Sequence, residues 1–254
     1  MSIHALDSNE SADPVLQAKI DLAAAHRLAV FHDLEEGIDN HFTVTVPGFD
    51  DRYLTLPFGL HWSEARASDL IAFDEAGNTL DGEGIVELSA QCIHAPVHRI
   101  TGVRVVMHTH QNWATALNML ENNRLIPASQ TSAYFDGQIV YDDDYRGTAD
   151  TLEEGEHLAN LLGDKSVMFM RNHGVLVADQ TVAGAYHKLY MLERVCRTQI
   201  LAMSTGKKLL PISPEIIKQV QAPEENDRHK GQRHQLYFDA MKRVLDRDMP
   251  GYAD

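Results

Sequence analysis

The 254-residue sequence has little cysteine: only Cys92 and Cys196, which lie far apart in dissimilar surroundings. Cysteines that bind zinc or do redox chemistry occur in close pairs, so we interpret both as packing residues. Long apolar runs are also absent, since none approaches the roughly 18 residues that a membrane-spanning helix requires. The amino-terminal stretch MSIHALDSNESADP lacks the charged-then-apolar pattern of a secretory leader. These absences predict a cytoplasmic protein with no membrane partner.

Basic residues are scarce as well. Lys and Arg number 22 against 37 Asp and Glu, which gives a formal net charge of −15. This charge repels phosphate backbones and anionic lipid surfaces, so nucleic acid is not an expected partner. Hydrophobic residues make up 44% of the chain, enough to bury a large core. No repeat or linker divides the sequence, which predicts one domain over residues 1–254.

Apolar spacing and the positions of Pro and Gly predict the order of secondary-structure elements. Helices are predicted at 14–35, 112–122, 151–162, 182–204 and 232–246, with a short or kinked helix at 89–99 because of Pro96. Strands are predicted at 41–48, 52–59, 70–73 and 103–108, in DGQIVYDDDYRG, and on both sides of the turn RNHG. Because strands arrive in hairpin-like neighbours with helices between the groups, we expect a layered α/β or α+β domain with a largely antiparallel sheet.

Two of the 14 histidines stand one residue apart where a strand ends, in VRVVMHTHQNWATALNML. Residues i and i+2 of a strand share a face, so His108 and His110 can point together. His173, in the NHG turn between two strands, is a candidate third ligand for a divalent metal ion. The alternative is that these are ordinary partly buried histidines. The helix that starts near Asn112 should present free N–H groups to an anionic ligand beside the metal.

Several longer stretches resemble the class II aldolase/adducin family. They are GIDNHFTVTVPG, PFGLHWSEARASDLIAFDEAGNTLDGEG, IHAPVHRITGVRVVMHTHQNWATALNML, MRNHGVLVA and LYMLERVCRTQILA, in the family's order over about residues 20–204. The resemblance implies a three-layer α/β/α fold with a mainly antiparallel central sheet, followed by a helical extension at 205–254, and commonly a homotetramer. It also implies that His108, His110 and His173 bind a divalent metal ion, with zinc expected and manganese or iron as alternatives.

The sequence departs from the sugar-phosphate aldolases of this family at two places. Their metal-binding or acid/base glutamate aligns with Ala90, and a methyl group can neither bind a cation nor accept a proton. Glu87 and Glu83 lie nearby and could substitute only if the backbone shifts, so Glu87 is kept as a candidate catalytic residue. The family's phosphate-binding positions also change, and the aligned residues here are Leu88, Ser89, His41, Phe58 and Gly59. A phosphorylated sugar is therefore disfavoured.

The same positions suggest another kind of substrate. Phe58 suits a flat or apolar body, with core packing as the alternative. His41, Arg171 and the helix end near Asn112 could bind a carboxylate. Gln130 and Tyr134 fall where the aldolases place a catalytic tyrosine, although the aligned residue is Thr131, so Tyr134 is only a candidate proton donor. His94 and His98 are expected to support the site or fill the core.

These observations predict a metal-dependent lyase that acts on a non-phosphorylated, carboxylate-bearing small molecule, for which an aromatic acid is one candidate. Decarboxylation is favoured over aldol cleavage because carbon dioxide leaves without a base, which makes the loss of the glutamate at position 90 tolerable. Three alternatives stay open: retro-aldol cleavage of a hydroxy-carbonyl compound, a non-haem iron oxygenase, and an adducin-like interaction module without enzymatic activity.

Overall fold

The computed structural model describes residues 13–222 and 232–254. The leader prediction for the amino-terminal segment concerns residues that lie almost entirely outside this range. In the part of the chain that is described, no helix is both long and apolar enough to cross a bilayer.

The elements follow one another largely as the apolar spacing predicts. The helices are α1 Pro14–Phe31, α2 Ala95–Thr101, α3 Asn112–Asn118, α4 Gln130–Ala133, α5 Leu152–Leu162, α6 Val182–Met203, α7 Pro214–Gln221 and α8 Arg233–Asp248. The strands are β1 His41–Thr45, β2 Arg52–Thr55, β3 Ile71–Asp74, β4 Thr79–Asp81, β5 Val105–Thr109, β6 Ile139–Asp142, β7 Val167–Met170 and β8 Val175–Asp179.

Two helices end four residues earlier than the sequence predicts, and the kinked segment differs in helix type. Helix α1 ends at Phe31 rather than at residue 35, because Asp33 takes a left-handed φ of 57° that no helix continues through. Helix α3 ends at Asn118, four residues early. The kinked segment at 89–99 is a π-helical turn, Ala90–His94, followed by α2, which carries Pro96 in its first turn.

The eight strands form one sheet in the order β4-β3-β2-β1-β5-β8-β7-β6. Every pairing is antiparallel except that of β6 with β7. The prediction of a mainly antiparallel sheet is therefore confirmed. The centre of the sheet places β1 and β8 on either side of β5, with His41 opposite His108 and Val175 opposite Thr109.

Helices cover both faces of this sheet, as the three-layer prediction requires. On one face, Met107 of β5 joins a core that includes Leu22 of α1, Leu189 of α6 and Phe238 of α8. On the other face, Val106 joins a core with Val97 of α2 and Leu158 of α5. Neighbouring strand residues thus serve opposite layers, because side chains alternate along a strand.

The carboxy-terminal segment packs back onto the main core. Phe238 and Leu245 of α8 are fully buried, and Lys242 pairs with Asp21 of α1 at 2.9 Å. Farther on, the backbone N–H of Ala67 donates to the carbonyl oxygen of Tyr252 at 2.9 Å. The described part of this extension is therefore integral to the same packed unit.

Candidate metal centre

Three predicted ligands meet where β5 ends and where β7 turns into β8. His108 lies on β5, His110 follows it, and His173 lies in the turn before β8. One potential ligand nitrogen from each imidazole lies within 4.8 Å of the other two. The ring centroid of His173 is 4.8 Å from the centroids of both His108 and His110. The fold thus brings together three histidines that are 65 positions apart at most in sequence.

The NHG sequence of the turn has a steric reason. Asn172 adopts a left-handed φ of 56°, which asparagine tolerates better than most residues. A Cβ added at Gly174 would lie 2.5 Å from the carbonyl oxygen of Thr109 and 2.8 Å from Cδ2 of His110. Only glycine permits this approach. Asn172 therefore makes the turn, His173 supplies the imidazole, and Gly174 allows β8 to pass close to the other two histidines.

Hydrogen bonds fix the tautomers of two imidazoles. His108 Nδ1 donates to the carbonyl oxygen of Val175 at 3.0 Å, and His110 Nδ1 contacts the carboxylate of Glu36. With both Nδ1 atoms protonated, both Nε2 atoms of the neutral rings carry lone pairs, and these atoms are 3.0 Å apart. Neither can donate to the other. The pair therefore fits a shared electron-pair acceptor, such as a divalent metal ion, with Val175 and Glu36 orienting the rings from behind.

Burial keeps His108 and His173 uncharged near neutral pH. It lowers the pKa of His108 well below the usual value, and the neighbouring His173 and His41 lower it further. Burial also lowers the pKa of His173 to about 4, with a contribution from His110. Neutral imidazole is the form that binds metals. Three imidazole nitrogen ligands suit zinc or iron and leave a coordination position for substrate.

Three of the predicted substrate or catalytic residues border one cavity. His41, Phe58 and Glu87 line it together with Asn40 and Trp62. Burial raises the pKa of Glu87, and Ser89 Oγ donates to its carboxylate at 2.6 Å. Glu87 does not join the triad, because among the described residues only the three histidines form a group of potential metal ligands there. Ala90 is fully buried, so a methyl group occupies the aldolase glutamate position.

The left-handed backbone conformation of Gly59 determines the path of the chain beside Phe58. Gly59 has a left-handed φ of 101°, and the backbone N–H of Phe58 donates to the carbonyl oxygen of Ile85 at 2.9 Å. The Phe58 side chain remains 43% exposed. It is therefore available to contact a ligand rather than consumed by core packing, which was the alternative interpretation of this residue.

Gln130 and Tyr134 lie on a different part of the molecule. Gln130 begins α4 and Tyr134 caps its end, and α4 packs against α6 and α7. Both side chains are exposed. Within the described residues, no hydrogen bond or ring contact joins either one to the triad. A single chain does not bring these two residues to the triad, so their roles stay predictions.

Two of the predicted anion-binding groups near the triad, Arg171 and the start of α3, already have partners. Arg171 donates to the carbonyl oxygen of Glu121 at 3.3 Å and pairs with Asp143 at 3.4 Å. The prediction of free N–H groups at the start of α3 is wrong. The backbone N–H groups of Trp113 and Ala114 donate to the buried carboxylate of Glu193 at 2.7 and 2.9 Å. This carboxylate from α6 fills the place that the sequence interpretation gave to a ligand.

Sequence reasoning missed the groups that orient the triad. Glu36 and Asn40 come from the loop between α1 and β1, and Asn40 Oδ1 accepts from the backbone N–H of His110 at 3.3 Å. Both residues fall in or beside the GIDNH stretch, so their proximity to the family motif was the available signal. His94 and His98 are buried and hydrogen-bonded outside the ligand group, as expected for supporting residues.

Comparison with known proteins gives a consistent family. Residues 20–200 match the family described as Class II Aldolase and Adducin N-terminal domain. A Caulobacter vibrioides protein named for aldolase class 2 is 33% identical over 240 residues, covering 94% of this chain and 92% of that protein. The crystal structure of an aldolase II superfamily protein from Pseudomonas syringae has a TM-score of 0.86 and 33% identity, over 96% of this chain and 97% of that chain.

Two relatives carry names that specify a reaction. The Streptomyces roseochromogenus protein named 4-hydroxy-3-prenylphenylpyruvate oxygenase/4-hydroxy-3-prenylbenzoate synthase is 28% identical and covers 76% of this chain and 72% of its own length. Decarboxylase NovR of Streptomyces niveus is 27% identical, with coverage of 77% and 74%.

Proposed function

We propose, since the chain belongs to the class II aldolase and adducin family, that it is a metal-dependent carbon–carbon lyase. Its substrate is a non-phosphorylated, carboxylate-bearing small molecule, and decarboxylation is its favoured reaction. The observation that carries the proposal is a triad of converging imidazoles with Ala90 in place of the aldolase glutamate. Because no carboxylate joins the three imidazoles as a ligand, a divalent ion held there keeps more positive charge to attract an anionic substrate.

The cavity residues support the substrate class. Phe58 exposes an aromatic face beside His41 and Glu87. Phe58 in this wall, and Leu88 next to Glu87 in the sequence, offer no hydrogen-bond donors from their side chains, whereas a doubly charged phosphate needs several. An aromatic or apolar acid therefore fits this wall better than a phosphorylated sugar. The names of two relatives, a decarboxylase and a prenylphenylpyruvate-converting enzyme, are consistent with that class.

The chemistry requires an electron sink and a later proton. When bound, the metal ion, zinc or alternatively manganese or iron, supplies Lewis acidity to a carbonyl or hydroxyl oxygen. The carbon–carbon bond breaks, carbon dioxide leaves, and the electron pair stays on the remaining fragment until a proton reaches carbon. We favour Glu87 over Tyr134 as the source of that proton, because Glu87 lines the cavity and burial raises the pKa of its carboxyl group.

Retro-aldol cleavage is the second candidate, and Glu87 favours it. A retro-aldol reaction needs a base to remove a hydroxyl proton, and Glu87 is a carboxylate in the same cavity as His41. The oxygenase alternative uses the same three histidines with iron. The adducin-like alternative needs no metal at all. Metal content, oxygen dependence and the identity of the product therefore separate the four possibilities.

The first experiment measures metal and turnover together. Untagged protein purified without chelators should retain near-stoichiometric zinc, manganese or iron. Offered aromatic 3-oxo acids and 3-hydroxy-carbonyl acids under anaerobic conditions, it should release carbon dioxide from the 3-oxo acids, in which the metal-polarised carbonyl can accept the electron pair. Turnover that requires oxygen would support the oxygenase, and aldehyde release without carbon dioxide would support retro-aldol cleavage. Protein that binds no metal would overturn all three enzyme hypotheses.

A matched pair of variants tests whether the triad binds the metal ion. His173→Ala removes one triad nitrogen and should abolish stoichiometric metal and turnover. His187→Ala removes a histidine on α6 that stacks on His234, with ring centroids 4.6 Å apart, and should leave the metal content unchanged. Equal metal loss in both variants would show that folding, rather than ligation, controls binding.

A further inference from the structure

A column of buried polar side chains connects the triad to the interior between β1 and α2. His41 Nδ1 is 2.8 Å from His94 Nε2, and His94 Nδ1 is 2.8 Å from Thr43 Oγ1. The same hydroxyl is 2.8 Å from His98 Nε2, and His98 Nδ1 is 2.8 Å from the carbonyl oxygen of Val103. All four side chains are at most 5% exposed. We call these groups the histidine relay.

The direction of every hydrogen bond in the relay follows from its inner end. The Val103 carbonyl can only accept, so His98 Nδ1 carries a proton and donates to it. Burial lowers the pKa of His98 to about 4, so the ring is neutral and its Nε2 must accept. The Thr43 hydroxyl therefore donates to His98 Nε2. Its oxygen is left to accept from His94 Nδ1.

The same reasoning continues to the outer end. Burial lowers the pKa of His94 well below its usual value, so a ring protonated at Nδ1 has an accepting Nε2. His41 Nδ1 must then donate to His94 Nε2. A neutral His41 ring that donates from Nδ1 carries its lone pair on Nε2. A carbonyl at the far end of the relay thus determines which nitrogen of His41 is bare.

His41 stands at the site itself. Its ring centroid is 5.0 Å from that of His108, and the residue borders the cavity that Phe58 and Glu87 also line. In the described part of the chain, the hydrogen bond of the His41 ring is the one at Nδ1. With that nitrogen as the donor, the relay leaves Nε2 to accept from a ligand.

We propose that His94, Thr43 and His98 are positioning residues that hold His41 in its Nδ1–H tautomer, so that His41 Nε2 accepts a hydrogen bond from a hydroxyl or other donor group of the substrate. This inference rests on the proposed function for the identity of the substrate. It also changes the expected role of His41: a neutral ring with a bare Nε2 repels a carboxylate oxygen and selects the donor next to it.

Three threonine variants test the relay. Thr43→Val removes the hydroxyl and keeps the shape, so His94 loses the acceptor for its Nδ1 proton and can move that proton to Nε2. His41 then becomes the acceptor at Nδ1 and carries its proton on Nε2. Thr45→Val is the matched control, because Thr45 lies two residues along β1 and only flanks His98 Nδ1, at 3.3 Å. Thr43→Ser restores the hydroxyl.

The direct readout is the tautomer of His41. Long-range ¹H–¹⁵N correlation spectra of protein labelled in histidine distinguish Nδ1–H from Nε2–H rings, with His41→Gln used to assign the resonance. We expect Nδ1–H in the wild type, Thr45→Val and Thr43→Ser, and an Nε2–H or mixed population in Thr43→Val. An unchanged His41 tautomer in a folded Thr43→Val protein would overturn the proposal, and so would an Nε2–H ring in the wild type.

The functional consequence is measured with two probes of the zinc-loaded protein, mandelate and phenylacetate, which differ only in a hydroxyl group. Thr43→Val should reduce the preference for mandelate by about tenfold, the effect of one hydrogen bond, and Thr45→Val should not change it. An equal preference in all variants would overturn the role in selection. Because the tautomer is measured without turnover, a failed proposed function leaves that result interpretable, and a failed relay leaves metal-dependent turnover untouched.

Discussion

The two faces of strand β1 are equally buried and chemically opposite. Phe42 and Val44 join the apolar core that includes residues of α1 and α6. His41, Thr43 and Thr45 face α2 and are at most 5% exposed. Antiparallel strands commonly have a solvent-exposed polar face and a buried apolar face, but both faces of β1 are buried. Buried polar residues must each have a partner, so one face of β1 is specified by volume and the other by hydrogen-bond direction.

This difference predicts different failures. An apolar core loses stability in proportion to the volume removed and leaves distant sites unchanged. A hydrogen-bonded relay loses stability through the partners left unpaired, and the loss also reaches the group at its end. Variants on the apolar face should therefore change only the free energy of unfolding. Variants on the polar face should change both the free energy of unfolding and the selection of ligands.

The largest effect is expected on the apolar face. Phe42 is fully buried, with its ring centroid 4.6 Å from that of Trp62. Phe42→Ala should lower the free energy of unfolding by about 3 to 5 kcal/mol because it leaves a cavity. Urea unfolding measures this, and the affinity of the folded fraction for zinc should stay within about twofold. A large loss of zinc affinity would show that the two faces are not independent.

The polar face should respond to a change that removes no volume. Thr43→Val leaves His94 Nδ1 and His98 Nε2 without partners, which should cost roughly 1 to 3 kcal/mol in urea unfolding. Thr45→Val should cost less, because His98 Nδ1 keeps its bond to Val103. Equal stability of the two variants would contradict the assignment of the central role to Thr43.

His26 of α1 is a histidine packed against the apolar face of β1, with its ring centroid 4.9 Å from that of Phe42. Its Nδ1 donates to the carbonyl oxygen of Leu22 at 2.8 Å, and its Nε2 is buried without a partner among the described residues. Burial lowers its pKa to about 4. The unfolded state therefore binds a proton more readily, so the stability present above pH 6.5 is lost as the pH falls toward 4.

The pH dependence can be assigned to this ring by substitution. At pH 5, His26 alone should reduce the free energy of unfolding by about 2 kcal/mol relative to pH 7. His26→Phe keeps an aromatic ring against Phe42 and Trp62 and removes the titration. The drop between pH 7 and pH 5 should be smaller in His26→Phe by that amount. Parallel curves for the two proteins would place the titration on other histidines.

The sequence was sufficient for features that depend on local spacing. The alternation around β5 and the NHG turn located the triad residues, and hairpin-like neighbours predicted the antiparallel sheet. It was insufficient for contacts between distant elements. Glu193 on α6 binds the N–H groups of Trp113 and Ala114, 80 and 79 positions away, and no local pattern shows that a helix end is already occupied.

The histidine relay shows a second limit. Residues 41–45, HFTVT, predict a strand, but alternation alone does not say which polar face is buried or what it meets. The helix that supplies His94 and His98 lies more than 50 positions away. Direction in the relay is set by the Val103 carbonyl, which every residue type possesses. Side-chain identity therefore predicts the members of the relay less well than it predicts the metal ligands.

The smallest expected effect lies at the outer end of the polar face. Glu36 contacts His110 Nδ1 and is largely exposed. Glu36→Gln keeps the size of the side chain and removes its charge, so it should weaken zinc binding by about tenfold, the lower end of the range for groups that orient a ligand. Glu35→Gln is the matched control in the next residue, because the Glu35 carboxylate accepts from the backbone N–H of Gly37 and has no bond to the triad. Competition with a chelating dye measures both affinities, and equal values would mean that His110 is oriented by Asn40 and the strand end rather than by Glu36.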